Sequence, residues 1–492
     1  MEEKQSLKKK TVGGFLWRLA ERMGAQGVSF IVTIVLARLL MPEDYGTVAL
    51  ITVFITILNV FIDSGLGTAL VQKKDADDLD FSSVFFFNVT VGFLLYAGMF
   101  FAAPFIAKFY DKPELVALTR VICLTMVIAS VKNVQQAYVS RNLLFKRFFF
   151  ATLGGTLFSA VLGIYIAYKG GGAWALVAQS LSNAAIDTLI LWITVKWRPK
   201  MMFSFKRLKG LWSYGWKLLV SSLLDNGYNQ LRTLIIGKVY TDADMGFYNK
   251  ARNFPQMIIT NINSAIDSVL LPSMSKVQDS KEAVKSMTRR SMKTSTFVIA
   301  PLLVGLAACG KSVISLLLTD KWLPSYPYMV VFCITFVFYP LHTANLNAIK
   351  AMGRSDLFLK LEVIKKIVGV ILVVATMYIS PLAMALSLLV SSVISQFVNA
   401  WPNKKLMDYG YLEQVKDILP VFIIAAIMGG CVYCINFVYL HSVLTLLIQV
   451  PLGAVIYIGL AYLFKLEAFT YCVTMIKPHI LKLSKKKKQP EE

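Results

Sequence analysis

Three histidines in 492 residues leave little material for metal or acid–base chemistry. They stand far apart, at His342, His441 and His479, and no H-E-x-x-H, G-x-S-x-G or phosphate-loop pattern occurs. Hydrolytic and metal-assisted reactions that depend on those arrangements are therefore excluded, as is a built-in ATPase. Cysteine is almost as scarce, with six residues. Cys431 and Cys434 form a lone C-x-x-C without a second pair or a nearby histidine, which excludes a zinc site; burial among apolar side chains is expected instead. Acidic residues number 28 against 51 basic ones, so the net charge is +23. The basic residues cluster in alternate connections between apolar runs rather than in one patch, which excludes a nucleic-acid partner. The other connections are about three to ten residues long, too short for the outer catalytic loop of a membrane glycosyltransferase or polymer ligase. No cleavable signal peptide is expected, because the first apolar run is too long and lacks a cleavage site.

Apolar sequence is what the chain has in abundance. Hydrophobic residues make up 56% of it and the mean hydropathy is +0.61. Runs of spanning length recur from about residue 13 to residue 464, giving about fourteen transmembrane helices: an all-α polytopic membrane protein. The basic connections hold Lys73, Arg141 and Lys146, then Lys196 to Lys209, Lys276 to Lys293, Lys350 to Lys360 and the tail to Lys488. The positive-inside rule puts both termini in the cytoplasm. Two stretches, 201–211 and 273–294, read as amphipathic surface segments, and Lys485–Lys488 read as a topology signal, with contact to anionic headgroups of membrane lipids as the alternative.

The most polar part of this apolar chain is Gly215 to Asp267, two long helices joined by Thr241-Asp242-Ala243-Asp244. It carries Asp225, Arg232, Lys250, Arg252 and Asp267, each costing roughly 2.5–3.5 kcal/mol at the centre of a spanning helix. Ser221, Asp225, Asn229 and Arg232 recur at helical spacing, and so do Arg252, Gln256, Asn263 and Asp267, so each helix has one polar face. Pro255 interrupts the second. Such faces suit a water-filled transport path; a buried structural ion-pair network would need the same residues. Residues 14–64 repeat this stretch at an ungapped offset of 200: Arg38 falls on Lys238, Asp44 on Asp244, Gly46 on Gly246, and Asp63-Ser64 on Asn263-Ser264. An internal duplication follows, as in many transporters.

Other polar groups extend the candidate site. Arg18 and Arg22 share a face of the first helix and form, with Lys132, a basic lip for an anionic headgroup such as a diphosphate; snorkelling beside Glu21 is the structural alternative. The candidate cargo-binding set is thus Arg18, Arg22, Lys132, Asn229, Arg232, Lys250, Arg252, Gln256 and Asn263. Asp63 and Asp225 are the candidates for coupling to H+ or Na+; no metal or other cofactor is expected. His342, Asn345 and Asn347 either line a path or pair in the core, and Glu362 with Lys365 and Lys366 reads as a structural pair.

Several of these stretches together resemble a known family. They are Leu36-Ala37-Arg38-Leu39-Leu40 with Tyr45-Gly46, Asp63-Ser64-Gly65-Leu66-Gly67, Val71-Gln72-Lys73-Lys74, the run Leu270 to Asp279, and Asp320-Lys321-Trp322. In order and spacing they are similar to the polysaccharide-export branch of the multidrug/oligosaccharidyl-lipid/polysaccharide exporter superfamily, the WzxC-like flippases, over nearly the whole chain to about residue 465. The resemblance implies two six-helix lobes facing each other as a V, plus two C-terminal helices: residues 1–200, 201–402 and 403–465, with a basic tail at 466–492. It implies flipping of an undecaprenyl-diphosphate-linked oligosaccharide across the bacterial inner membrane, with polysaccharide polymerase and glycosyltransferases as candidate partners. Relatives that flip the peptidoglycan precursor have an Arg-Asp pair where this chain has Val32-Thr33, so that cargo is not expected. The alternatives are a cation-coupled multidrug exporter and a non-transporting scaffold of a polysaccharide assembly complex.

Overall fold

The computed structural model describes the backbone of residues 2–474 apart from positions 64, 74, 143 and 439. Side chains are described from Trp17 to residue 474, apart from those four positions and 18, 19, 22, 213, 214, 217, 265, 268, 269, 272 and 355. Among the described residues every regular element is a helix. Among the described residues ten helical segments are long and apolar enough to cross a membrane: α2 (Pro42–Asp63, continued by a short helix Leu66–Gln72), α3 (Asp78–Tyr110), α4 (Leu115–Arg141), α5 (Phe145–Tyr168), α6 (Ala173–Thr194), α9 (Lys281–Leu318), α10 (Asp320–Ala351), α12 (Pro381–Met407), α13 (Tyr411–Val438) and α14 (Ser442–Leu463). Four further helices, α1 (Glu2–Leu39), α7 (Phe205–Val239), α8 (Asp242–Ser275) and α11 (Ser355–Thr376), are 38, 35, 34 and 22 residues long. About 20 residues cross a bilayer. These four have the length to span; α1 contributes the apolar stretch Met23–Leu39, while α7, α8 and α11 carry charge along their length.

The chain folds as two compact units, Met1–Gly246 and Phe247–Glu492. In the first, α1 packs on α5, α5 on α6, α3 on α4, and α7 on α2, α3 and the short helix. Those contacts of α7 hold residues 205–239 in the first unit. In the second unit α9 is central and touches α10, α13 and α14, while α11 packs on α12.

One core of the first unit gathers Leu66, Phe81, Phe85, Val134, Phe148 and Trp197. Beside it Asp80, with no exposed side-chain surface, accepts from Lys73 Nζ at 2.5 Å and from the Asp77 amide at 3.2 Å, while Asp77 accepts from the Asp80 amide at 2.9 Å. This reciprocal cap starts α3. Lys73→Met removes the cationic partner of a buried carboxylate. Arg207 stays 3.9 Å away and Lys73 is itself partly exposed, so the expected loss is about 2 kcal/mol rather than the full cost of a broken buried pair. Thermal unfolding of the purified chain in detergent reads it; an unchanged midpoint would rule out the pair as a contributor.

Two sequence expectations are corrected here. Residues 273–294 form no surface segment. They are the end of α8, a turn, and the first turns of α9, and Met274, Val284 and Met292 are buried against Leu341, Ala348 and Met407. The alternation of basic and apolar residues there marks a helix with one face in the core. Cys431 and Cys434 are exposed, whereas Cys123, Cys309 and Cys333 are buried. On the outer face of a spanning helix, beside exposed Ile423 and Ile427, an apolar residue meets lipid and needs no core. The other amphipathic stretch, 201–211, runs into the start of α7, with Leu208 and Leu211 buried and Phe203 and Phe205 exposed.

Candidate functional site

The duplication is visible in local geometry. The Met41 amide donates to Asp44 Oδ2 at 2.9 Å, and 200 residues later the Thr241 amide donates to Asp244 Oδ2 at 3.3 Å. Both carboxylates occupy the first turn of their helix, where they satisfy free amides. The two turns also meet. A Cβ on Gly46 would lie 2.7 Å from the Asp242 carbonyl carbon, and one on Gly246 would lie 2.9 Å from that of Pro42. Positions 42 and 242, and 46 and 246, thus exchange roles across a local two-fold contact. Asp242 is also ion-paired with Lys112, from the turn after α3.

In the first unit α7 carries Asp225 and Asn229 on an exposed face, two turns and one turn before Arg232, which is buried. Lys132 on α4 pairs with Asp187 on α6 at 3.0 Å. Asp63, the last residue of α2, accepts from Asn133 Nδ2 at 2.6 Å. The side chains of Arg18 and Arg22 lie outside the described set. Between them on α1, Glu21 is buried and accepts from Thr152 of α5 at 3.1 Å.

In the second unit the polar residues of α8 differ in setting. Lys250 is buried, its ammonium 5.5 Å above the ring of Trp322. Arg252 is half-buried with Nε lacking a hydrogen-bond partner, Gln256 is exposed, and Asn263 is buried with Oδ1 likewise unsatisfied. Positions 252, 256 and 263 share a face at steps of four and seven. One face of a spanning helix therefore holds a guanidinium donor and an amide acceptor that the fold leaves unfilled, which in a native protein asks for a role. Asp267, farther along, accepts from Asn347 Nδ2 at 2.6 Å.

Other candidates resolve as structural. His342 lies between Ser392 Oγ and Asn399 Nδ2, each at 3.1 Å. Asn345 donates to Gln414 Oε1 at 2.8 Å and accepts from Asn403 at 2.6 Å and Gln414 at 3.0 Å. Glu362 and Lys365 pair at 2.5 Å. Among the described residues no group of three or more His, Cys, Asp or Glu side chains could hold a metal ion. Sequence reading missed the pairing of Asn133 with Asp63, and Asp80; only the S/T/D-x-x-E/D spacing of Asp77 and Asp80 gave a signal.

Comparison with known proteins gives one family match, over residues 35–327, described as polysaccharide biosynthesis protein. The chain is 26% identical over 414 residues to the teichuronic acid biosynthesis protein TuaB of Bacillus subtilis, covering 82% of this chain and 85% of that one. It is 22% identical to the lipopolysaccharide biosynthesis protein WzxC of Escherichia coli, covering 73% and 74%. In fold it is similar to a solved structure of the lipid II flippase MurJ in an inward closed conformation: TM-score 0.75, 14% identity, 92% of this chain and 98% of that one. The fold is that of a multi-pass membrane transporter.

Proposed function

Because the chain belongs to the polysaccharide biosynthesis protein family, of the WzxC-like export type its motifs resemble, we propose that it is a flippase. Its cargo is an undecaprenyl-diphosphate-linked oligosaccharide repeat unit, carried from the inner to the outer leaflet of the bacterial inner membrane for surface or exopolysaccharide synthesis. The observation that carries this reading is the polar face of α8, where Arg252 Nε and Asn263 Oδ1 stay unsatisfied within a spanning helix. A lipid diphosphate brings the anion such a guanidinium pairs with, and its glycan brings hydroxyls for the amides. The names of TuaB and WzxC, both polysaccharide biosynthesis proteins, and of MurJ, a flippase, support the same assignment.

The roles divide by charge. Arg232, Lys250 and Arg252, with Arg18, Arg22 and Lys132 nearer the cytoplasmic end, attract the diphosphate; Asn229, Gln256 and Asn263 take sugar hydroxyls. Asp63 and Asp225 carry the coupling proton or sodium ion. Both termini lie in the cytoplasm, and the cycle is alternating access without a chemical step on the cargo.

In cells lacking the chain, surface polymer disappears and undecaprenyl-linked repeat units accumulate on the cytoplasmic side. Arg232→Ala and Arg252→Ala each lower export about tenfold or more, the loss of one charge-assisted hydrogen bond of roughly 1.5–3 kcal/mol. Normal polymer in the deletion strain, with raised sensitivity to cationic drugs, would reject the flippase in favour of a drug exporter. Full export by both arginine variants would point to a scaffold.

A further inference from the structure

The first unit contains a pocket of about 640 Å³ with no cation among its described lining residues. It lies where the end of α2, the short helix Leu66–Gln72, α4 and α7 meet. Its polar lining includes Asp63, Asn133, Gln136, Ser222 and Asn226. Asn133 and Gln136 are one turn apart on α4, and Ser222 and Asn226 one turn apart on α7, so two helices each turn a polar pair into the same space. Thr68 and Ser140 add two hydroxyls, the rest of the wall is aliphatic or glycine, and among the described residues none of the lining is basic or aromatic.

Two basic residues of α4 have partners outside the pocket. Lys132, next to Asn133, pairs with Asp187 at 3.0 Å. Arg141, at the end of α4, donates to the Leu70 carbonyl at 2.8 Å and to that of Lys73, and so fixes the end of the short helix that forms one wall. Packing keeps the space open. A side chain at Gly67 would put its Cβ 2.8 Å from Asn133 Oδ1, and Gly65, at φ 68°, lies where a Cβ would come 2.7 Å from the Gly215 carbonyl.

This chemistry selects against a diphosphate, which the Asp63 carboxylate would repel, no cation standing among the described lining residues. It suits a sugar ring. Hydroxyls both donate and accept, and a carboxylate, amides and a serine hydroxyl together meet both needs. Aliphatic walls cover the C–H faces of the ring. The volume falls within the roughly 300–1,000 Å³ of small-ligand sites. We propose that this pocket is a glycan subsite, which seats one or more sugar rings of the cargo apart from the cations that hold its diphosphate. The inference rests on the flippase reading above. It makes Asn133 and Gln136 determinants of which glycan is carried, and Arg141 a positioning residue.

The test uses the full-length chain in lipid nanodiscs and two probes: undecaprenyl diphosphate without sugar, and the glycan-bearing lipid extracted from cells lacking the chain. The wild type binds the glycosylated lipid more tightly. Asn133→Leu, Gln136→Leu and the space-filling Ser222→Trp each lower that affinity about tenfold while affinity for undecaprenyl diphosphate stays within twofold. Wild-type preference for the glycosylated lipid that all three variants retain would overturn the subsite and leave the flippase reading intact. Equal loss for both lipids would also overturn it, since the residues would then act through the fold. A change in sodium dependence with an unchanged preference between the lipids would reassign the pocket to a cation. Failure of the wild type to bind either lipid would overturn the flippase reading and the subsite with it.

Discussion

Gly46→Val is expected to abolish export while the protein still reaches the membrane. A Cβ at this position would lie 2.7 Å from the Asp242 carbonyl carbon and nearer still to its oxygen. The obstacle is backbone in the first turn of α8, not the end of a flexible side chain, so the two turns must separate. Separation would also strain the Lys112–Asp242 pair. Because the contact is reciprocal, Gly246→Val, whose Cβ would meet the Pro42 backbone, should reproduce the defect. Gly98→Val is the control, since nothing lies within 4 Å of its Cβ. Surface polymer per molecule of membrane-embedded protein is the quantity to measure. Parental export by Gly46→Val would show that the close approach is dispensable. Loss with Gly46→Val but not with Gly246→Val would show that the two repeats do not share it equally.

Asn345→Leu is expected to cost about 3 kcal/mol of stability. Asn345, Asn403 and Gln414 have almost no exposed surface, at 1%, 0% and 0%. Removing the Asn345 amide deprives Asn403 Nδ2 of its 2.6 Å acceptor and Gln414 Oε1 of its donor. Gln414 Nε2 keeps the Tyr409 carbonyl at 3.1 Å, which limits the damage on that side. Asn403 Nδ2 keeps only the long contacts to the carbonyls of residues 345 and 399, at 3.4 and 3.5 Å, and neither group can turn to water, so each carries a desolvation cost. The double variant Asn345→Leu/Gln414→Leu removes one of the orphans and should recover part of the loss. Thermal unfolding in detergent compares the three proteins. An unchanged midpoint for Asn345→Leu would mean that the network contributes nothing.

The architecture was legible because bilayer-spanning helices are written as long apolar runs. The four helices that carry charge were legible by length and by the polar spacing of α7 and α8. The duplication could be read at an offset of 200 for a physical reason. Asp44 and Asp244 do the same work on free amides, and Gly46 and Gly246 each sit against backbone, so both pairs of identities are constrained. What could not be read is pairing at long range. Nothing in the spacing of α4 says that Asn133 meets Asp63, or that Lys132 turns to Asp187. The misread stretch 273–294 shows the same limit. A basic, amphipathic pattern fits a helix lying on lipid as well as one that buries its apolar face in protein, and only the partners Leu341, Ala348 and Met407 decide.

The charges on α7 and α8 have a consequence for how the chain is made. Asp225, Arg232, Lys250, Arg252 and Asp267 would together cost on the order of 10–15 kcal/mol against lipid. Neither helix is therefore a good substrate for one-at-a-time release into the bilayer during synthesis. Only Tyr240 and Thr241 separate them, so they must enter as a hairpin. Six helices have by then emerged, and α2 and α3 offer α7 a protein surface in place of lipid. Biogenesis of the transporter is in this sense ordered by its own polar machinery: the first helices act as the solvent in which the most charged pair can be inserted.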